Sequence, residues 1–318
     1  MDASAPRSPA RPLRARLRGL GPWLLAAAVL AWIFHRLPLH TVGAALARGP
    51  WPQLVAYVAV EIAIVLLCDV AAAAVAVRVS GGAVPFARLL RMRGATYLLS
   101  IVHPVAGQGS FGWFLAREGR GGWNAGGVVL LLLVTQALAL GTGGAAGLLL
   151  APPWLRAPAL PVVALIGAGM LVYLAVVAAR PRRLARVALL EPLFAAGVRG
   201  HLETIAARLP HVAALVLLQW GAFRVWGIAV PLLVALGLIP LVLFVGALPI
   251  TPGGLGTVQA LQATLFARYA MGATDQARQA SVVALSLAHA ALGIAAQLLI
   301  GAVCMRMLGG LRAVDAAE

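Results

Sequence analysis

Three charged residues lie inside long apolar stretches of the sequence, where an ionised side chain serves binding, proton transfer or pairing with another charge. Glu61 and Asp69 fall in one stretch and Arg224 in another. A lone guanidinium in hydrocarbon costs at least about 2.5 to 3.5 kcal/mol, so Arg224 requires a partner. Glu61 and Asp69 are eight residues apart, which is about 12 Å along a helix. We predict that Arg224 pairs with Glu61 or Asp69, either structurally or as part of a headgroup or proton-coupling site.

Two interrupted apolar segments provide a second group of candidates. The segment 238–270 contains L-P-I-T-P-G-G-L-G-T-V-Q at residues 248–259, and the segment 95–118 contains H-P-V-A-G-Q-G-S-F-G at residues 103–112. Backbone N–H and C=O groups have no water partner in hydrocarbon, so a broken helix persists only where protein or a wet cavity satisfies those groups. Each break is therefore a predicted binding site.

The chemistry expected at the breaks is recognition of an anion such as a lipid phosphate. If a half-helix begins at about Ser110 and another at about Leu255, each presents free N–H donors and a positive dipole end. The alternative is that the glycines only permit tight turns and close helix contact. The candidate substrate-binding residues are His103, Pro104, Gly107, Gln108, Gly109, Ser110, Thr251, Pro252, Gly253, Gly254, Gly256, Thr257 and Gln259.

Composition restricts the class of protein that carries these residues. Of 318 residues, 62% are hydrophobic and 11% charged, and the mean hydropathy is +0.95. All 25 basic residues are arginine, so a phosphate-loop lysine, a Schiff base and nucleotide hydrolysis are excluded. The net charge of +16 has no soluble domain on which to form a nucleic-acid site. Cys68 and Cys304 lie in apolar runs, which predicts neither a disulfide nor a metal centre.

The elements that position the candidates are predicted to be helices. The fold class is an all-α polytopic membrane protein, with apolar runs near the roughly 20 residues that cross a bilayer. The interrupted segments 95–118 and 238–270 are interpreted as re-entrant helical hairpins. The six predicted spans are residues 22–37, 53–79, 123–151, 158–179, 211–236 and 279–305.

The arginine distribution supports this topology, because cytoplasmic loops are enriched in basic residues. With a cytoplasmic amino terminus, 19 arginines fall on the inner side and five on the outer side. Three spans per half is an odd number, so the halves have opposite orientation and form an inverted repeat. Residues 1–21 form a basic cytoplasmic terminus, 22–151 the first half, 152–306 the second half and 307–318 a cytoplasmic tail. The connector 180–210 is expected on the inner membrane surface.

The L-P-I-T-P-G-G-L-G-T-V-Q motif, the earlier hairpin and the span arrangement resemble the flippase-like membrane domain of lysylphosphatidylglycerol synthases and their stand-alone relatives. The resemblance implies a domain that moves a lipid between leaflets. Family members usually carry an acidic residue and an arginine in the first motif, where this chain has Gln108 and Phe111. The second motif usually ends in glutamate, where this chain has Gln259. These 318 residues contain no stretch that resembles the soluble acyltransferase domain, so synthase activity is not expected from them.

The leading hypothesis is a lipid translocase of the bacterial cytoplasmic (inner) membrane, with both termini cytoplasmic and the cargo held between the two hairpins. The expected partner is a phospholipid, glycolipid or hopanoid, and lipid-synthesis enzymes are further candidate partners. No nucleic acid, nucleotide, cofactor, metal or catalytic residue is predicted, and the protein is not expected to be an enzyme. The alternatives are a non-transporting partner in a lipid-synthesis complex and an intramembrane lipid-modifying transferase, although H-E-x-x-H and G-x-S-x-G motifs are absent.

Overall fold

The backbone of the chain is helical throughout the part that the structure describes. This computed structural model describes residues 13–102, 104–149, 153–247, 251 and 254–315, and no strand occurs among them. A short 3-10 turn, Ala267–Tyr269, follows the eleventh helix. The helices are α1 Leu13–Arg36, α2 Leu39–Ala47, α3 Trp51–Val79, α4 Phe86–Val102, α5 Pro104–Ala116, α6 Gly122–Leu149, α7 Pro153–Ala179, α8 Arg182–Ala185, α9 Glu191–Val225, α10 Leu232–Ala247, α11 Thr257–Phe266 and α12 Asp275–Asp315.

Four described helices, α3, α6, α9 and α12, are long and apolar enough to cross a membrane. A further pair, α1 and α2, meets the same criterion only together, and its two helices are bent by 89°. Shorter apolar helices occupy 163–179 and 232–246. The predicted second, third and sixth spans correspond to α3, α6 and α12. The bent helix α2 was not predicted.

The fifth predicted span, 211–236, is wrong, because these residues do not form one helix. Helix α9 begins at Glu191, is interrupted at Gly197, and ends at Val225. The chain then turns through Gly227, whose φ is +82°, and Pro231 precedes α10. Glycine tolerates the left-handed conformation and proline favours a helix start, which explains the break. Most of the connector is therefore helix α9, packed against α3 and α6.

Both interrupted segments form two helices each, as the sequence predicts. The first hairpin consists of α4 and α5, and the second consists of α10 and α11. The first one starts earlier than expected, at Phe86 rather than residue 95, and this shift brings Arg88, Arg91 and Arg93 into α4, where Arg93 is buried. Its two ends are joined by an ion pair in which Arg88 Nε lies 2.8 Å from Glu118 Oε1.

Each hairpin is packed in its own apolar cluster. Met92, Phe111 and Leu115 of the first hairpin are buried with residues of α3, α6 and α12. Ile239 and Phe266 of the second hairpin are buried with residues of α9 and α12, and the Phe266 ring lies 4.7 Å from the Phe223 ring. Helices α3 and α9 contribute buried residues to both clusters. The polar groups of α3 and α9 are therefore carried by helices that pack in both clusters.

Candidate functional site

Asp69 is the centre of a buried charged group that joins three helices. Its Oδ2 accepts a hydrogen bond of 2.7 Å from Arg93 Nε, and its Oδ1 accepts one from Arg208 Nη1. Asp69 belongs to α3, Arg93 to α4 and Arg208 to α9. The side chains of Arg93 and Arg208 are 9% and 3% exposed. A buried carboxylate between two guanidiniums is strongly held, because loss of one partner leaves a charge without water.

Arg93 is fixed from three directions. Besides the carboxylate, Arg93 Nη1 donates to Gln108 Oε1 at 3.2 Å. Its guanidinium lies over the Phe111 ring, 4.7 Å from the ring centroid, which is a cation–π distance. Gln108 and Phe111 both belong to α5, so the second helix of the first hairpin positions a charge carried by the first. Gln108, predicted to contact substrate, therefore has an established contact with Arg93.

The predicted pairing of Arg224 with Glu61 or Asp69 is wrong. Arg224 lies in the last turn of α9 and is exposed. The prediction placed it at the middle of a span because the span was drawn about 11 residues too far along the chain. The actual partners of Asp69 are Arg93 and Arg208, two arginines that the sequence pattern assigns to cytoplasmic loops.

A helical pattern in the sequence does point to Arg208. His201, Thr204, Arg208 and His211 are spaced by three, four and three residues, which places them on one face of a helix. All four are buried in α9. The apolar pattern of this segment does not show this polar face.

The charged group opens onto a cavity of about 290 Å³, which we call the Asp69 cavity. Three glutamines from α5, α6 and α12, together with a tyrosine of α4 and a histidine of α9, supply the rest of its polar wall. The polar lining residues are Asp69, Arg93, Tyr97, Gln108, Gln136, Arg208, His211 and Gln297. This wall carries two guanidiniums and one carboxylate, so it has an excess of positive charge.

A second cavity, of about 320 Å³, lies beside the other intramembrane acid, and we call it the Glu61 cavity. Glu61 Oε2 is 2.7 Å from His289 Nε2 of α12. Ser100 of the first hairpin and Leu255 of the second hairpin both line this cavity. The two hairpins therefore face each other across the Glu61 cavity.

The two cavities adjoin each other. Val65 of α3 and Gln297 of α12 line both of them. Val65 is midway along α3 between Glu61 and Asp69, and its carbonyl oxygen is 3.2 Å from His211 Nδ1. Glu61 and Asp69 are about 12 Å apart along α3, and each marks one of the two cavities. Val65 and Gln297 lie at the junction of the cavities.

The turn of the second hairpin satisfies its own polar groups. Helix α11 begins at Thr257, close to the predicted start, and Gly256 N–H donates to Gln259 Oε1 at 2.7 Å. Thr257 Oγ1 donates to the Gly254 carbonyl at 3.0 Å, and it lies 3.1 Å from Thr251 Oγ1. Gln259 is buried. These contacts make Gln259 a helix cap, whereas its predicted contact with substrate stays a prediction.

The predicted helix start at Ser110 is wrong. Helix α5 begins at Pro104, so Gly107 and Gly109 lie inside it rather than in a turn. Ser110 Oγ donates to the Gly107 carbonyl at 2.7 Å. Gly109 and Ser110 instead line a groove of about 410 Å³ on the hairpin surface, with Leu99, Trp113, Phe114 and Met305 among the other lining residues. Gly107 is needed for close packing, because an added Cβ would lie 1.9 Å from Ser100 Oγ.

Three predicted binding residues, His103, Pro252 and Gly253, lie outside the described residues. The same holds for the side chain of Pro104, although its backbone begins α5. Outside the spanning helices, Arg120 Nη2 donates to the carbonyls of Val77 and Ser80 at 3.4 and 3.3 Å. Partial burial lowers the pKa of this guanidinium. No group of metal-ligating side chains occurs among the described residues.

The apolar helices, broken hairpins and buried charges define an integral membrane protein with a polar interior. A family model described as the lysylphosphatidylglycerol synthase TM region matches residues 20–301, nearly the whole chain. The chain therefore belongs to this family, as the resemblance in the sequence predicted, and the family indicates a role in lipid-related processes. A comparison with curated proteins gave no match.

Proposed function

We propose that the protein is a lipid translocase, which moves a lipid or a lipid-linked intermediate between the leaflets of the bacterial cytoplasmic membrane. The observation that supports it most directly is the pair of adjoining cavities, of which the Glu61 cavity is lined by both hairpins and the Asp69 cavity by the first. Glu61 and Asp69 each lie ten residues from one end of α3, or about 15 Å. A headgroup moving along α3 would meet one acid in each half of its path.

The arrangement also separates polar from apolar surfaces in the way that a lipid requires. The Asp69 cavity is lined by a carboxylate, guanidiniums and amides, whereas the groove beside Trp113 and Phe114 is mainly apolar. The Glu61 cavity combines a carboxylate and an imidazole with mostly apolar walls. A headgroup in the cavities and an acyl chain in the groove or in surrounding lipid would each keep a compatible environment. The hairpins would then be the inverted-repeat elements whose relative movement opens the path.

The source of energy follows from what the sequence lacks. Without a lysine the chain cannot form a phosphate loop, so transport is either downhill or coupled to an ion. The Glu61–His289 contact is the natural candidate for proton coupling, because a carboxylate and an imidazole 2.7 Å apart can share a proton. Both termini are placed in the cytoplasm, on the basis of the arginine distribution.

The test is translocation of a fluorescent phospholipid in proteoliposomes, measured by dithionite quenching with and without a proton gradient. Val65→Trp fills the junction of the cavities and should slow translocation at least about tenfold, since a bulky ring would obstruct the headgroup. Val60→Trp makes the same change on α3 at a side chain that is 59% exposed, and it should leave the rate unchanged.

Both variants must elute as monodisperse protein before rates are compared. If wild-type vesicles move lipid no faster than protein-free vesicles under either condition, the translocase proposal fails. That outcome would favour a non-transporting partner in a lipid-synthesis complex. Equal rates for the wild type and Val65→Trp would place the path elsewhere in the protein.

A further inference from the structure

The Asp69 cavity contains unused hydrogen-bonding capacity at a charged group. Arg208 Nε is buried without a hydrogen-bond partner among the described residues, although Arg208 Nη1 binds Asp69. Gln136 Oε1 is likewise buried and without a described partner. Both residues line the same cavity. A buried polar atom without a partner costs about 1 to 3 kcal/mol, and such atoms commonly mark a bound group.

The net charge of the wall of the Asp69 cavity indicates the sign of the charge on the bound group. Arg93 and Arg208 carry two positive charges, and both oxygens of Asp69 are already occupied by them. The next polar contact of Arg93 is the neutral amide of Gln108. One positive charge therefore remains without a countercharge in the wall, and in a low-dielectric cavity that excess attracts an anion.

The two arginines differ in what they can offer a ligand. Arg93 is held by Asp69, Gln108 and the Phe111 ring, so it supplies charge and is fixed in position. Arg208 retains an unsatisfied N–H, so it is the residue that contacts the ligand directly. Guanidinium donors match the tetrahedral oxygens of phosphate particularly well. Gln136 Oε1 can accept a hydroxyl or N–H of the group attached to that phosphate.

We propose that the Asp69 cavity binds a phosphate group, with Arg208 as the direct ligand, Arg93 and Asp69 as positioning residues and Gln136 as acceptor for the attached group. Where the phosphate is part of a lipid headgroup, this inference rests on the proposed function and assigns its cargo to the phosphate-bearing lipids. The cavity of about 290 Å³ leaves room for a small substituent on the phosphate. A free phosphate ester or inorganic phosphate shares the same chemistry.

The test measures binding directly, so it is independent of transport. Thermal unfolding of the full-length protein in mild detergent is followed against three probes: inorganic phosphate, dihexanoylphosphatidic acid and dihexanoylglycerol. The last has the same acyl chains without a phosphate. We expect a saturable rise in Tm with the phosphatidic acid and none with the diacylglycerol.

The decisive variant is Gln108→Glu. Its carboxylate can accept the same bond from Arg93 Nη1, which keeps the fold, while it neutralises the excess positive charge. Phosphate binding should weaken at least about tenfold, the size expected for a lost charge interaction. Gln53→Glu makes the same change on an exposed residue of α3 and should bind as the wild type does.

Each outcome decides a separate point. If only phosphatidic acid raises Tm, and Gln108→Glu weakens that response, the site is assigned to lipid headgroups. If inorganic phosphate gives the same response, the site is assigned to free phosphate as well. The phosphate site is overturned if neither phosphatidic acid nor inorganic phosphate gives a saturable response. It is also overturned if Gln108→Glu binds with wild-type affinity. If the protein binds phosphate but moves no lipid, the phosphate site stands and only the translocase proposal is refuted.

Discussion

The first hairpin gives its polar side chains to the interior of the molecule, whereas the second uses them within its own turn. In the first, Arg93 and Gln108 belong to different helices of the hairpin and meet at Asp69 of α3. In the second, Gln259 and Thr257 cap the start of α11 through Gly256 and Gly254. Two breaks of similar composition therefore have different structures. The first hairpin contributes to a charged cavity wall, and the second forms a turn that satisfies its own polar groups.

Proline and glycine spacing therefore does not by itself identify the hairpin that lines a charged cavity. Gly107 and Gly109 of the first hairpin lie within a helix, whereas two glycines at the turn of the second have positive φ, Gly254 at +71° and Gly256 at +83°. The second hairpin needs glycine for its backbone conformation. The first needs it at Gly107 for contact between α4 and α5. Four substitutions separate these roles.

The largest effect is expected for Asp69→Ala, which leaves two buried guanidiniums without a carboxylate. We expect a loss of about 3 to 5 kcal/mol in the free energy of unfolding, measured by denaturant titration in mixed micelles. The matched control is Asp275→Ala, because Asp275 is 83% exposed in its contact with Arg278. A loss for Asp69→Ala as small as that of the control would show that the arginines are solvated.

The next effect concerns the cap of the second hairpin. Gln259→Ala removes the acceptor of the Gly256 N–H and leaves it buried, at a cost of about 1 to 3 kcal/mol. Gln262 lies one turn later and is equally buried, at 3% exposure, but its Oε1 has no described hydrogen-bond partner. Gln262→Ala should therefore cost less under the same titration. If Gln262→Ala is the more damaging change, the capping role of Gln259 is wrong.

A smaller loss is expected for Gly254→Ala. The left-handed conformation costs an L-residue about 1 to 2 kcal/mol, and the added Cβ would lie 2.7 Å from Val258 Cγ2. The midpoint of thermal unfolding should fall, and larger side chains at this position should be worse. A variant such as Gly254→Leu therefore reports on folding before it reports on cargo. An unchanged midpoint in Gly254→Ala would contradict the positive φ.

The smallest effect has the opposite sign. Gly109 lies inside α5, and an added Cβ would have no atom within 4 Å outside its own helix neighbourhood. Gly109→Ala should stabilise the protein by about 0.5 to 1 kcal/mol, and the same thermal measurement would detect it as a raised midpoint. Destabilisation by Gly109→Ala would place this residue in a turn, as the sequence predicted, and remove the contrast between the hairpins.

Much of the helical framework could be predicted from the sequence. Apolar length gave both ends of α3 and α6 and the start of α12 to within about four residues, because a membrane-spanning helix needs a long uninterrupted apolar run. It did not give the end of α12, which continues past residue 305. The positions of both breaks followed from proline and glycine, whose backbone restrictions are local. Family membership was also predictable, since the second motif is contiguous in the chain.

The partners of the buried charges were decided only by the tertiary structure. Asp69 meets Arg93 over 24 residues and Arg208 over 139, and Glu61 meets His289 over 228. Such contacts depend on which helices pack together and how each is rotated, and neither appears in an apolar pattern. The sequence therefore determined that Glu61 and Asp69 needed partners, because a carboxylate inside a membrane-spanning helix has no water to solvate it. Helix packing selected those partners and so formed the two cavities.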